Sequence, residues 1–345
     1  MSPSSEGIIG DEGKGGSWAR SEVEDLVFSV MQARRLEDRV RSLSQDGALP
    51  AAFHTFHVDP RTVAFAHGMT RLANGRGDVC APGVAAPGPS LAFGATPLEF
   101  LRQAGRRGTG PTGGRGGGGD WTDKRHGLFA GIGPPGTLTQ VMTGAALAFK
   151  QRGEDRVAVA FEEAAAVETG GWHEGINLAG AQRVAVVVVL VHPLDGGAGP
   201  DMPEVAVVGT AYGARANRAA SDSLHELRNA GRASRIAAAA GEPVIVEVGP
   251  LSQVDEKWRL LDELTEWAVE AGHVEPDDLE RLSQRAIHDV DHAASRLTNE
   301  PPPAPEAALA QVWTDVGPMV PWTRQDPVDP ASRQPADPMG EPNVF

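Results

Sequence analysis

A few residues in this sequence have a type and placement suited to chemistry. Glu162 and Glu163 are adjacent carboxylates directly after the apolar run Val157–Phe161, and His192 directly follows the longer run Val184–Val191. Between the runs lies His173-Glu174, an imidazole beside a carboxylate, a pair able to exchange a proton with a bound substrate. Two further histidine pairs have spacings at which metal ligands occur: His54 with His57, and His288 with His292. No Cys or His cluster accompanies the first pair, which reads as an ordinary loop or strand. The second lacks the glutamate that a zinc-protease helix needs after its first histidine, because Asp289 stands there. It reads as a solvated helix flank. Gly108, Gly110 and Gly113 satisfy a dinucleotide-loop spacing, but no strand precedes them and no helix follows.

The elements that must position the first group are legible. Both runs are rich in valine and alanine, as in strands buried on two faces. The segment between carries Val167, Trp172, Ile176, Leu178 and Ala179 as a helical stripe after a glycine-rich start. Strand, helix, strand predicts a right-handed crossover in a parallel sheet, with ligands at the carboxyl ends of the strands. Those ends are Glu162-Glu163-Ala164-Ala165 and His192-Pro193. Helical periodicity predicts a long first helix after a capping box of Ser21 and Glu24, and shorter helices over 62–72, 96–103 and 133–150. It predicts later helices over 224–240, 255–271, 275–297 and 307–316. Strands are predicted over 205–208 and 243–248. The fold class is α/β: a mostly parallel sheet, helices on both faces, and a helical C-terminal section.

With 345 residues, 41% of them apolar, the chain can bury a large core. A net charge of −15 argues against a nucleic-acid surface. No apolar run reaches the roughly 18 residues of a membrane span. The N-terminus lacks the basic and apolar regions of a signal peptide. Cys80 is the single cysteine, which excludes an intramolecular disulfide and fits a reducing, cytoplasmic setting; a small apolar filler is its commoner role. Residues 1–20 read as a disordered, glycine-rich leader, 21–300 as one domain, 106–119 as a mobile glycine-rich loop, and 301–345 as a proline-rich tail.

GEDRVAVAF, GGWHEGINLAG, the strand after it, and MQARRLEDRVRSLSQDG together resemble a known family. It is that of the alpha subunits of the thiamine-diphosphate-dependent, decarboxylating component of 2-oxo acid dehydrogenase complexes, of the branched-chain or pyruvate type. The resemblance spans most of Ser21 to Pro303. It implies a thiamine-diphosphate-binding fold, thiamine diphosphate and magnesium as cofactors, and a heterotetramer of two alpha with two beta subunits. A lipoyl-bearing acyltransferase is a further partner of the family, and neither nucleic acid nor membrane is expected. An active member would decarboxylate a branched-chain 2-oxo acid or pyruvate oxidatively and pass the acyl group to lipoamide.

Several positions depart from the family pattern. Glu163-Ala164-Ala165 falls where a Gly-Asp-Gly motif supplies the magnesium acid, and His192-Pro193 where two asparagines stand. Gly83-Val84 replaces a phosphate-binding Tyr-Arg, Asp120-Trp121 a His-Trp pair, and Asp59-Pro60-Arg61-Thr62 a Gly-Gln-Glu-Ala. The loop that covers the family's active site shrinks to Gly249–Gln253. What the resemblance leaves is Glu162, Glu163, His192 and Trp121 toward the cofactor, Glu163 as the metal ligand, and His173 and Glu174 for proton transfer. The departures point to a catalytically degenerate subunit serving assembly or regulation with a beta-type partner, or with a second copy of itself.

Overall fold

Runs of valine and alanine build the centre of the molecule, as a parallel sheet covered on both faces requires. The computed structural model describes residues 18–72, 74–119, 121–131, 133–192, 202–219, 222–250 and 257–308. Five strands, β1 (Val79–Ala81), β2 (Ala158–Glu163), β3 (Val186–Val191), β4 (Arg215–Ala219) and β5 (Val244–Val248), lie in the order β1-β2-β3-β5-β4. Every pairing is parallel. In the first half of the chain come α1 (Arg20–Gln45), α2 (Pro60–Ala66), α3 (Gly88–Ala92), α4 (Pro97–Ala104), α5 (Thr137–Arg152) and α6 (Gly170–Gln182). The second half adds α7 (Met202–Ala211), α8 (Leu224–Ala239), α9 (Arg259–Glu270) and α10 (Pro276–Asn299).

Side chains alternate across the sheet with a period of two. Val159, Phe161, Val187, Val189, Val244 and Val246 enter a large core shared with α1, α2, α8 and α10. Ala158, Ala160, Val186, Val188, Leu190 and Ile245 face a second core with α5 and α6. Phe161 and Trp172 are fully buried, one in each core. Burying a side chain of this size contributes about 2 kcal/mol or more. Cys80 is fully buried on β1, and desolvation pushes its thiol well above the ordinary value. Such a thiol is a filler. No described helix is long and apolar enough to cross a membrane.

Several boundaries differ from the sequence reading. α1 begins at Arg20, and Glu22 rather than Glu24 reaches back to the chain entry, its Oε2 accepting from Ala19 N at 3.1 Å. Val205–Val208, expected as a strand, is inside α7. A four-residue apolar run has no period to tell the two apart. Residues 1–17 and 309–345, which hold most of the expected leader and tail, lie outside the described residues. Trp18, expected in the leader, packs edge-on against Trp267 with ring centroids 5.3 Å apart. The chain divides into two units, Met1–Pro303 and Ala304–Phe345. In the second, the described residues form a short 3₁₀ turn, Pro305–Ala308. The 106–119 segment is irregular and tied down: Thr112 Oγ1 donates to Gln103 at 2.9 Å, and Thr109 Oγ1 to Glu300 at 2.5 Å.

Buried charge anchors both ends of the connection after β5. Arg61 is fully buried, pairs with Asp59 at 2.7 Å and donates to the Gly249 carbonyl. Lys257 Nζ meets Glu37 Oε2 at 2.5 Å in an equally buried pair.

His67, at the C-terminus of α2, sets a pH dependence. Desolvation, then the nearby Arg71 and Arg228, hold its pKa well below the ordinary value. Asp25, 3.6 Å from Nδ1, is half exposed and too well solvated to offset this. The unfolded chain therefore binds a proton near pH 6.5 that the folded chain refuses, so stability falls as pH drops below about 6.5. The expected slope is up to about 1.4 kcal/mol per pH unit, and His67→Gln should flatten it in urea titrations between pH 7 and 5. An unchanged slope in the variant would assign the acid sensitivity to another group.

Candidate functional site

The carboxyl ends of β2, β3, β4 and β5 hold the residues of interest. The alternation that places Ala158 and Ala160 against α5 also sends Glu162 to that side and Glu163 to the other. Glu162 is 4% exposed. Its Oε2 accepts from Gly136 N at 3.1 Å, and its Oε1 from Thr139 N at 2.9 Å and Thr139 Oγ1 at 3.1 Å. These backbone N–H groups open α5, where a helix leaves donors unsatisfied and carries partial positive charge. Glu162 is thus an internal cap, with both oxygens occupied.

Glu163 ends β2 half-buried, in register with Val191, and has no side-chain partner among the described residues. Ala164 is buried behind it and opens a 3₁₀ turn, Ala164–Glu168, that leads to α6. Thr169 caps α6 by accepting from Trp172 N at 3.3 Å.

His192 is 5% exposed, and its Nε2 donates to Glu247 Oε1 at 2.5 Å. Glu247 on β5 is 1% exposed and also accepts from Arg218 of β4 at 3.2 Å. Its Oε2 has no partner among the described residues. The carboxylate fixes the imidazole's tautomer and orientation, and its charge is balanced from the exposed edge by Arg218. Nothing in the reading of the sequence singled out Glu247 or Arg218. The available signal was one acid inside the apolar strand VIVEV, a residue that burial obliges to find a partner.

The structure brings Glu162, His192 and Glu247 to one face of the sheet and leaves the other candidates apart. Trp121 is buried in the opposite core, with its indole N–H unpaired among the described residues. His173 is half-buried in the first turn of α6, and its Nδ1 meets Tyr212 Oη at 3.2 Å. Glu174 is exposed. Asp120 and Pro193 lie outside the described residues. Gly83, expected at the family's tyrosine position, has φ of +47°, and a Cβ there would stand 2.4 Å from the Phe161 carbonyl oxygen. Val84 beside it is 60% exposed.

The two histidine pairs differ in their surroundings. His54 Nε2 and His57 Nδ1 bond separate backbone carbonyls, of Ser44 and Thr55. His288 and His292 stack with centroids 6.0 Å apart on the exposed side of α10. Glu99, Asp123 and His126 do cluster at metal-ligand distances. Arg125 already sits there, donating to Glu99 at 2.7 Å and Asp123 at 2.5 Å. Against desolvation, the Thr96 N–H on Glu99 and the Arg125 bonds to both hold these carboxyls below their ordinary range.

Residues 29–192, from α1 to the end of β3, match the sequence profile of the dehydrogenase E1 component. Over those residues the chain is similar to that family. It is 24% identical over 262 residues to the alpha subunit of acetoin:2,6-dichlorophenolindophenol oxidoreductase from Cupriavidus necator. That alignment covers 66% of this chain and 75% of the relative. Dehydrogenase E1 components depend on thiamine diphosphate, and their alpha subunits generally pair with beta subunits. The parallel sheet with helices on both faces is consistent with the fold of that family.

Proposed function

We propose that this dehydrogenase E1 alpha-like chain is a non-catalytic subunit, kept for assembly or regulation with a beta-type partner. The observation that carries the reading is the commitment of Glu162. Its two oxygens serve Gly136 and Thr139 at the start of α5, so turning it toward a metal would disrupt the cap of a buried helix. The other donors fit a magnesium diphosphate poorly. Magnesium takes hard oxygen ligands in octahedral geometry. Ala164 offers a methyl group where the family has its acid. His192 offers an imidazole, a ligand better suited to zinc or copper, and Glu247 already engages it. Gly83 leaves no room for a phosphate-binding side chain.

The second reading, oxidative decarboxylation with acyl transfer to lipoamide, rests on Glu163. It is the one acid of this sheet edge without a partner among the described residues. Calorimetric titration separates the two. Thiamine diphosphate with magnesium is added to the full chain, alone and mixed with a beta-type subunit. The expected result is no saturable heat in either case, together with a stable complex between the chains. Micromolar binding that Glu163→Ala abolishes would overturn the proposal and make Glu163 a substitute ligand.

A further inference from the structure

On the α2/α8 side of the sheet, backbone contact creates a second polar site. A Cβ on Gly68 would lie 2.3 Å from Arg232 N, and one on Gly231 would lie 2.3 Å from the Phe65 carbonyl. Only glycine at both positions lets the end of α2 meet α8 backbone to backbone. That approach carries His67 and Arg71 up to a row of arginines on α8. Arg228, Arg232 and Arg235 recur at i, i+4 and i+7, so they share one face.

The result is a cleft of about 360 Å³ lined by Arg71, Arg228, Arg232, Arg235, His67 and Glu22, among others. Four guanidinium groups and one carboxylate line it, in a chain of net charge −15. Glu22 serves two of the four, at 2.6 Å from Arg228 and 3.8 Å from Arg232. Outside the cleft, Arg71 reaches Asp25 at 2.9 Å, and Arg235 reaches Asp78 and Asp155 at 3.3 Å. Arg232 is 59% exposed, and among the described residues its ion-pair partner is Glu22 at 3.8 Å. His67 is 95% buried by its 5% exposure, and its Nε2 has no hydrogen-bond partner among the described residues. A buried polar atom of this kind calls for a ligand or water partner.

Each guanidinium presents five N–H donors in a planar fork that matches the oxygens of a phosphate. A tetrahedral dianion supplies more charge and more acceptor oxygens than the single carboxylate of Glu22. Glu22 is itself 40% exposed, near the start of α1, and can be displaced. We infer that this cleft binds the phosphate dianion of a small phosphorylated ligand, with Glu22 as the resident anion that it displaces. The shared chemistry is the phosphoryl group, carried either by free phosphate or by a phosphate monoester.

Calorimetric titration of the full chain near pH 7.5, at constant ionic strength with chloride as the balancing anion, tests this. Inorganic phosphate and glycerol 3-phosphate are the probes. Saturable binding of at least one is expected, and the tighter of the two identifies the source. Arg232→Ala, at an exposed position that the fold does not need, should weaken it about tenfold, the loss of one charge-assisted hydrogen bond. Glu22→Gln should tighten it, because the competing charge is gone. Arg228 is a poorer test, since it packs over the Trp18 ring at 4.1 Å and its loss threatens folding. The inference is overturned if neither probe gives saturable heat in the native chain and in Glu22→Gln. It is equally overturned if Arg232→Ala binds as tightly as the native chain.

Discussion

Glu162→Ala is expected to lower the unfolding free energy by about 3–4 kcal/mol, measured by urea denaturation. The substitution removes the acceptor for Gly136 N, Thr139 N and Thr139 Oγ1 at a buried helix start. A buried donor left unpaired costs about 1–3 kcal/mol. The negative charge at the first turn of α5 adds up to about 2 kcal/mol in partly buried settings. Partial relaxation and water entry hold the total below the sum. Glu162→Gln should fall between the two proteins, because one amide oxygen survives while its NH₂ faces backbone donors. A loss under about 1 kcal/mol for the alanine variant would mean that Glu162 does not cap α5. That result would also return it to the list of possible metal ligands and weaken the non-catalytic reading.

Gly83→Ala should cost about 2–5 kcal/mol, while Val84→Arg beside it should stay within about 0.5 kcal/mol. The glycine has a left-handed φ of +47°, and its missing Cβ would meet the Phe161 oxygen at 2.4 Å and Leu138 Cδ1 at 2.7 Å. Left-handed strain costs an ordinary residue about 1–2 kcal/mol, and overpacking adds about 1–3. Val84 is 60% exposed and meets no such barrier. Of the family's Tyr-Arg pair, then, the arginine can be reinstated and the tyrosine cannot. If Gly83→Ala and Gly83→Tyr fold with native midpoints, the segment is looser than this packing, and a phosphate site there is sterically open.

Local pattern alone made much of the fold readable. Val184–Val191 is continuous and apolar because β3 sits between two covered faces, so both its sides must be apolar. α10 shows its stripe because Leu282, Ala286, Val290, Ala294 and Leu297 bury one side of a long helix. The errors have the same origin. β4 reads RANRA, and as an edge strand pairing only with β5 it needs no apolar run. The apolar VAVV before it was the more strand-like sequence, yet it lies in α7.

The site divides along the same line. Sequence determined which residue types stand at the strand ends: Glu162 and Glu163 at the end of β2, Ala164 where the resemblance places an acid, and His192 after β3. That follows because strand boundaries and motif positions are local properties of the chain. Only the tertiary structure decided what those side chains do. The pleat turns Glu162 toward α5 and Glu163 away from it, and a shift of one residue would exchange them. Glu247, 55 positions beyond His192, becomes its partner because β5 lies next to β3 in the sheet. The four arginines around His67 converge because two glycines let α2 and α8 touch. Such pairings depend on long-range strand order and helix packing, which no window of local sequence contains.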